Sequence, residues 1–242
     1  MALLQQFKTD FGIIRVTRSR KDGGLAYYQN GCFHSQANKS GVSVCAYVHV
    51  IHEIIRHTKA RRVLLLGCAG GTLATMLHRL RCKVTVVDIN PVAFAIARRY
   101  FGLPPEIRCV RRDGIAYVHG TTHTYDAVVV DVFGSHNEVP RSFTTRRFFE
   151  QVAAILSPSG VMVMNVITRG DGDRCGDKIA REAEKALSDV RLLDWPGQTN
   201  RNTLVTAGPL RRLSLPSGYE PAWIREDLAG LIRRRASWLR SA

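Results

Sequence analysis

Residues 61–91 read RRVLLLGCAGGTLATMLHRLRCKVTVVDINP, and their pattern decides the fold. Four apolar residues, Val63 to Leu66, run into Gly67-Cys68-Ala69-Gly70-Gly71. Leu73, Met76, Leu77 and Leu80 then recur at helical spacing before a second apolar run, Val84 to Val87, reaches Asp88. The order is strand, glycine turn, helix, strand, acid. Small residues at 67, 69, 70 and 71 let the backbone turn tightly and approach a ligand, and the helix that follows presents free N–H groups at its start. Asp88, 21 positions after Gly67, falls where a second strand ends beside the first and a carboxylate can accept from two ribose hydroxyls. A glycine turn alone is weak evidence, because any tight strand-to-helix turn favours glycine. Turn, flanking periods and acid together predict a nucleoside-binding α/β domain.

Upstream, Gly12 to Thr17 and Leu25 to Tyr28 read as short strands, separated by a polar turn at Lys21-Asp22-Gly23-Gly24 and followed by a second turn at Gln29-Asn30-Gly31. A helix is expected from about Val42 to His57, with Val44, Tyr47, Val48, Ile51, Ile54 and Ile55 on one face. Downstream, Pro91 suits a helix's first turn, and Val92 to Tyr100 supplies that helix. Strands follow at Ile107 to Val110 and at Ala127 to Val130, the latter ending in Asp131. Phe143 to Leu156 reads as a helix, Ser157-Pro158-Ser159-Gly160 as a turn, and Val161 to Val166 as a strand. A helix from Asp177 to Leu187 precedes two late strands at Val190 to Leu193 and Thr203 to Thr206. Alternation of this kind predicts a doubly wound, mostly parallel, seven-stranded Rossmann-like α/β sheet. The organisation expected is a small β-hairpin element over 1–41, the nucleoside-binding domain over 42–210, and a basic C-terminal helix within 211–242, at about Pro221 to Leu239.

At 242 residues with 45% hydrophobic content, one such domain can bury a large core. The N-terminus has no long apolar stretch before its charges, and no apolar run approaches a membrane span, so a soluble cytoplasmic protein is expected. Six cysteines without a CxxC pair suggest reduced, mostly buried thiols, with Cys68 a small buried residue of the glycine turn. His49, His52, Glu53 and His57 lie within two helical turns but lack the HExxH spacing, which favours solvated or capping roles over metal. The net charge of +15 raises the prior for polyanions, yet the arginines are spread along the chain in pairs, with one denser cluster at Arg233-Arg234-Arg235. Solvated helix faces account for that distribution better than a nucleic-acid groove.

Three acids, Asp88, Asp113 and Asp131, fall at strand ends, the edge at which open α/β sheets bind ligands. Any one of them could be a helix cap; all three with the glycine turn favour a site. The succession VLLLGCAGGT, VVDINP, RRDG, YDAVVVDVF and LSPSGVMVMNV, over about residues 25–170, resembles the class I S-adenosylmethionine-dependent methyltransferase fold, and most closely its spermidine synthase-like branch, the polyamine aminopropyltransferases. The resemblance implies that Gly67, Ala69 and Gly71 pass the sulfonium-bearing chain of the donor. It further implies that Asp88 with Ile89 binds the ribose, that Asp113 and Gly114 contact adenine, and that Asp131 is the catalytic acid facing the reacting groups. Tyr47, His34 and Gln36 are its candidate acceptor-binding residues. Implied with these are decarboxylated S-adenosylmethionine or S-adenosylmethionine itself as donor substrate, no metal, and a small amine such as putrescine as acceptor, with assembly as a homodimer left open. The chain departs from the branch at Gly70 and at Gly134, where an acid is usual, leaving Glu138 or Asp126 as helpers to Asp131. Methyl transfer to a small molecule or protein is the first alternative, and a catalytically silent nucleoside- or RNA-binding protein the second.

Overall fold

The computed structural model describes residues 1–134, 137–210, 224, 228 and 230–236. Its elements in chain order begin with four strands, β1 (Ala2–Thr9), β2 (Gly12–Arg18), β3 (Leu25–Gln29) and β4 (Cys32–Ala37). Then come α1 (Ala46–His57), β5 (Arg62–Leu66), α2 (Thr72–Arg79), β6 (Lys83–Asp88), α3 (Pro91–Phe101), β7 (Arg108–Arg111), α4 (Gly114–Gly120) and β8 (Tyr125–Val130). A short 3-10 turn, Arg141–Thr144, leads into α5 (Arg146–Ile155), β9 (Leu156–Thr168), α6 (Cys175–Glu184), β10 (Arg191–Asp194), β11 (Arg201–Ala207) and β12 (Ile232–Arg234).

The large sheet runs β12-β10-β11-β9-β8-β5-β6-β7, parallel from β9 to β7 and antiparallel beyond β9. Of the five parallel strands, β5, β6, β8 and β9 carry near-continuous apolar runs because both their faces are covered, while β7, Arg-Cys-Val-Arg, forms the edge. On one face, Val63, Leu65, Val86 and Val129 pack under α1, α2 and α3 through Ile51, Leu77 and Ala97. On the other, Leu64, Leu66, Val128 and Met162 pack under α4, α5 and α6 through Val118, Phe149 and Ile179. From β5 the chain winds outward through β6 to β7, then crosses to β8 on the opposite flank of β5. The carboxyl ends of β5 and β8 therefore open a crevice at the point where the winding reverses, the place where ligands enter such sheets.

Two expectations change in extent. The N-terminal element is a four-stranded antiparallel sheet rather than a hairpin: β1 pairs with β2, β2 with β3 and β3 with β4. The Asn30-Gly31 turn behaves as read, both residues holding positive φ, 50° and 81°. This sheet packs Ile14, Val16, Tyr27 and Ala37 against Ile96 and Phe101 of α3, so it roofs the carboxyl edge of the main sheet. Secondly, an eighth strand joins the main sheet. Residues 232–234, expected within a terminal helix, are extended and pair with β10, Leu192 opposite Arg234. Arg234 explains the choice, because its guanidinium reaches the buried carboxylates of Asp177, at 2.6 Å, and Asp194, at 3.2 Å, and a helix turned to solvent would leave these acids with one counter-charge fewer. Arg233 also faces an acid, Asp189. Most of the remainder of the expected helix lies outside the described residues.

The Ser157-Pro158-Ser159-Gly160 turn is an irregularity inside β9, which pairs Leu156 with Tyr125 and then Val161 with Ala127. His49 and Glu53 are buried rather than solvated; the His49 ring meets the Ser43 carbonyl and Glu53 pairs with Arg56. Of the six free thiols Cys68 and Cys82 are buried, and Cys175 is exposed. Among the described residues no helix is long and apolar enough to cross a membrane.

Candidate active site

The glycine turn is shaped by contact with the strand beside it. Gly67 holds φ 96°, and a Cβ built there would lie 2.1 Å from the Asp131 carbonyl oxygen, so only glycine lets β5 and β8 end side by side. Backbone hydrogen bonds from Gly67 N–H to the Val87 carbonyl and from Asp131 N–H to the Leu66 carbonyl, both 2.9 Å, fix the two ends. Ala69 also has positive φ, 45°, a conformation that costs a residue with a Cβ about 1 kcal/mol. Gly71, φ 65°, starts α2, where a Cβ would press on Leu103 and Ala97. Position 70 is closed to a larger side chain: a Cβ there would sit 2.9 Å from the Ser35 hydroxyl and 3.1 Å from the Phe101 ring.

Two adjoining chambers open at this edge, of about 340 and 310 Å³. The first is walled by Asp88, Ile89, Asp113, Gly114, Val132 and Phe143 and covered by Tyr27 of the roof. The second is walled by Tyr47, Ser35, Asn165 and, from the antiparallel side of the sheet, Asn200 and Asn202. Gly67, Cys68, Ala69, His34, Phe133 and Asp131 border both, so Asp131 stands at the junction. No lysine or arginine is among the described residues lining either chamber, although the chain carries +15 overall.

Each acid has a distinct setting. Asp88 accepts from Cys68 N–H and Asn90 N–H, one per oxygen, both at 2.8 Å, which orients the carboxylate across the end of β6. Burial pushes its carboxyl up while those two N–H groups oppose the rise. A carboxylate has about four lone-pair sites, so capacity for further hydroxyl donors remains. Asp113 caps α4, accepting from Ala116 N–H at 2.8 Å, and also borders the first chamber. Gly114 lies against the edge of Phe143, where a Cβ would come within 3.1 Å of the ring.

Asp131 accepts from the Asn165 amide at 2.9 Å and from the Tyr47 hydroxyl at 3.2 Å. Burial pushes its carboxyl up, and these two donors oppose the rise. Burial likewise raises Tyr47, with Asp131 adding to the effect, so the phenol stays a donor. The His34 ring, held edge-on to Tyr27 and tilted against Phe133, is pushed toward its neutral form by burial. Burial also pushes the neighbouring Cys45 thiol up to about 11.

The expected residues thus converge, with exceptions. Gln36 borders neither chamber, because its neighbour Ser35 takes the inward position on β4 and bonds Thr72 at 3.3 Å. Asp126 sits at the opposite end of β8, accepting from Arg61 and Arg62 N–H, and cannot assist Asp131. Glu138 is exposed and folds over Gly134, where a Cβ would meet its carboxylate at 2.3 Å; it borders neither chamber. The sequence reading missed Asn165, Asn200, Asn202, Phe133 and Phe143. Asn165 alone carried a signal, as the single polar residue in the apolar run Val161 to Ile167.

Comparison with known proteins follows the same lines. The family described as a methyltransferase domain matches residues 63–160. A polyamine aminopropyltransferase of Chromobacterium violaceum is 34% identical over 155 residues, covering 61% of this chain and 56% of that one. An eEF1A lysine and N-terminal methyltransferase homolog of Drosophila melanogaster is 27% identical over 176 residues, covering 66% of this chain and 25% of that one. The chain therefore spans little more than half the length of the first relative and a quarter of the second. The crystal structure of a probable spermidine synthase of Corynebacterium glutamicum superposes with a TM-score of 0.79 at 20% identity, covering 99% of this chain and 92% of that one, including the N-terminal sheet; at this identity the likeness is one of fold.

Proposed function

For a spermidine synthase-like chain of the class I methyltransferase fold, we propose aminopropyl transfer from decarboxylated S-adenosylmethionine to a small amine. One observation carries the reading. A strongly basic protein has, at the carboxyl edge of its sheet, a cleft with three carboxylates and no basic side chain among the described residues lining it, a setting suited to a sulfonium donor. In this reading Asp88 accepts from the ribose hydroxyls, and Asp113 and Gly114 meet the adenine edge while Phe143 and Ile89 cover its faces. Gly67, Ala69 and Gly71 let the backbone pass close to the sulfonium chain.

The reaction is an in-line displacement. The lone pair of the acceptor nitrogen forms a bond to the propyl carbon attached to sulfur, and the carbon–sulfur bond breaks with its electron pair staying on sulfur, leaving neutral methylthioadenosine. The new secondary ammonium then gives one proton to Asp131. Positioning supplies most of the acceleration in such a step, and proton uptake the rest.

Methyl transfer from S-adenosylmethionine is the second reading, favoured by the single carboxylate on the acceptor side and by the methyltransferase relative. Incubation with each donor and a set of amines separates the two. Amine-dependent release of methylthioadenosine supports aminopropyl transfer, and S-adenosylhomocysteine signals methyl transfer. Neither product, with no thermal shift from either donor, refutes both enzyme readings.

A further inference from the structure

The acceptor side of the cleft is rich in amides and poor in charge. Its chamber is lined by one carboxylate, Asp131, and by four carboxamides, Asn137, Asn165, Asn200 and Asn202, with no further Asp, Glu, Lys or Arg among the described residues that line it. Arg201, between two of these asparagines in the chain, turns into ion pairs with Asp194, at 2.7 Å, and Asp171, at 3.0 Å. Gly70 lies against Ser35 and Phe101, and Gly134 lies under the Glu138 carboxylate, so neither position brings an acid to this chamber.

Resting on the aminopropyl-transfer reading, we infer that the acceptor has one amine and a neutral hydrogen-bonding tail, such as a hydroxyl or a carboxamide, rather than the second ammonium of a diamine. Charges set the argument. The donor already brings a sulfonium and an ammonium, and the attacking nitrogen must discharge a proton. Asp131 is the sole carboxylate among the described residues lining the acceptor chamber and has the attacking nitrogen's proton to take up, so a diamine would add a distant ammonium there without a counterion of its own. Carboxamides meet an ammonium only through their oxygens, as dipoles without a full counter-charge, and leave their NH₂ donors unused by it. A hydroxyl or amide tail uses both ends of the same side chains.

Asn165 fixes the geometry at the reacting end. Its NH₂ donates to Asp131 Oδ1 at 2.9 Å, which sets the orientation of the amide. Its own oxygen, in a residue only 1% exposed, has no hydrogen-bond partner among the described residues. A buried acceptor left open beside the proton acceptor calls for an N–H donor from a ligand. A primary amine supplies one: one N–H to Asn165 Oδ1, one to Asp131, and the lone pair directed at the donor carbon.

The test compares four-carbon acceptors on the full chain with decarboxylated S-adenosylmethionine, reading methylthioadenosine release. The acceptors are 1,4-diaminobutane, 4-amino-1-butanol and 4-aminobutanamide. The alcohol or the amide is expected to exceed the diamine in kcat/KM by about tenfold or more. Asn202→Asp, nearly isosteric and adding one carboxylate to the chamber, is expected to move that ratio toward the diamine by about the same factor. Asn165→Ala is expected to depress turnover of every amine and move the acidic limb of the pH profile upward, because Asp131 loses a donor. A diamine preference in the parent chain, or an unchanged ratio in Asn202→Asp, overturns the inference while leaving aminopropyl transfer standing. Absence of methylthioadenosine with every amine overturns the transfer reading and this inference with it.

Discussion

Replacing Gly67 with alanine tests whether the glycine turn exists to let two strand ends meet. Two costs combine. The backbone at φ 96° is a region that a residue with a Cβ enters at about 1–3 kcal/mol. The new methyl would also lie 2.1 Å from the Asp131 carbonyl oxygen, so the end of β8 must retreat by roughly 1 Å, an overpacking cost of about 1–3 kcal/mol. Gly102→Ala provides the control. It too has positive φ, 69°, but a Cβ there meets nothing within 4 Å, so it carries the conformational cost alone, about 1–2 kcal/mol. For a chain of this size each 1 kcal/mol moves Tm by about 2–4 °C, which puts Gly67→Ala about 4–24 °C below the parent and Gly102→Ala about 2–8 °C below it. Thermal unfolding of the three proteins side by side reads the difference. Since Asp131 moves with the strand end, Gly67→Ala should also lose turnover by about 100-fold, and Gly102→Ala should not. Equal stability of the two variants would refute the close approach of β5 and β8.

Asp131→Asn should lower turnover by about 100-fold or more in the methylthioadenosine assay without weakening the fold. Because burial raises the native carboxyl above its unfolded value, the native state binds more protons over that interval, and stability falls as pH rises through it. The asparagine variant lacks this penalty, so its Tm should match or exceed the parent's at pH 8, the gap closing as pH falls toward the unfolded carboxyl value; a variant less stable at pH 8 contradicts the assignment. Tyr47→Phe removes a donor to the Asp131 carboxylate and should shift the acidic limb of the pH–rate profile upward, with an unchanged limb counting against the hydrogen bond. Asp88→Ala should abolish the thermal shift given by the donor nucleoside, and a retained shift would exclude Asp88 from nucleoside binding. Arg234→Met should destabilise by about 3–5 kcal/mol in denaturant titration, because it leaves the carboxylates of Asp177 and Asp194 buried with one counter-charge fewer; a change below 1 kcal/mol would show those acids to be satisfied without it.

The parallel half of the sheet was legible because its chemistry is local. Val63 to Leu66, Val84 to Val87 and Ala127 to Val130 are short apolar runs closed by Gly67, Asp88 and Asp131, and both the strand type and the functional edge follow from that punctuation. The antiparallel periphery was less legible. β1 alternates only weakly, its Leu3 and Leu4 both being outside, and it is a strand because β2 offers a partner. β12 contradicts local helix periodicity because Arg234 answers two buried acids distant in the chain, a tertiary demand that no window of sequence contains. Within the site, Asp88, Asp113 and Asp131 announced themselves by position. Asn200 and Asn202 did not, since only the fold of β11 against β9 brings them to the carboxyl edge.

The departures at positions 70 and 134 differ in what surrounds them. A side chain at 70 must push on the Ser35 hydroxyl, which bonds Thr72 of α2, and on the Phe101 ring of α3, whereas one at 134 meets first the exposed carboxylate of Glu138. Restoring an acid at 70 therefore presses on the roof and on α3, whereas at 134 the Glu138 side chain has only to move aside. The amides of β9 and β11 are different: Asn202 stands on a paired strand and is only half-buried, so its side chain can change charge with the backbone unmoved. On the proposed reading, that difference puts acceptor choice on the antiparallel side of the cleft. In the proposed reading the donor is met by the parallel strands β5, β6 and β8, and the acceptor's chemistry can vary on the other wall without altering the first chamber.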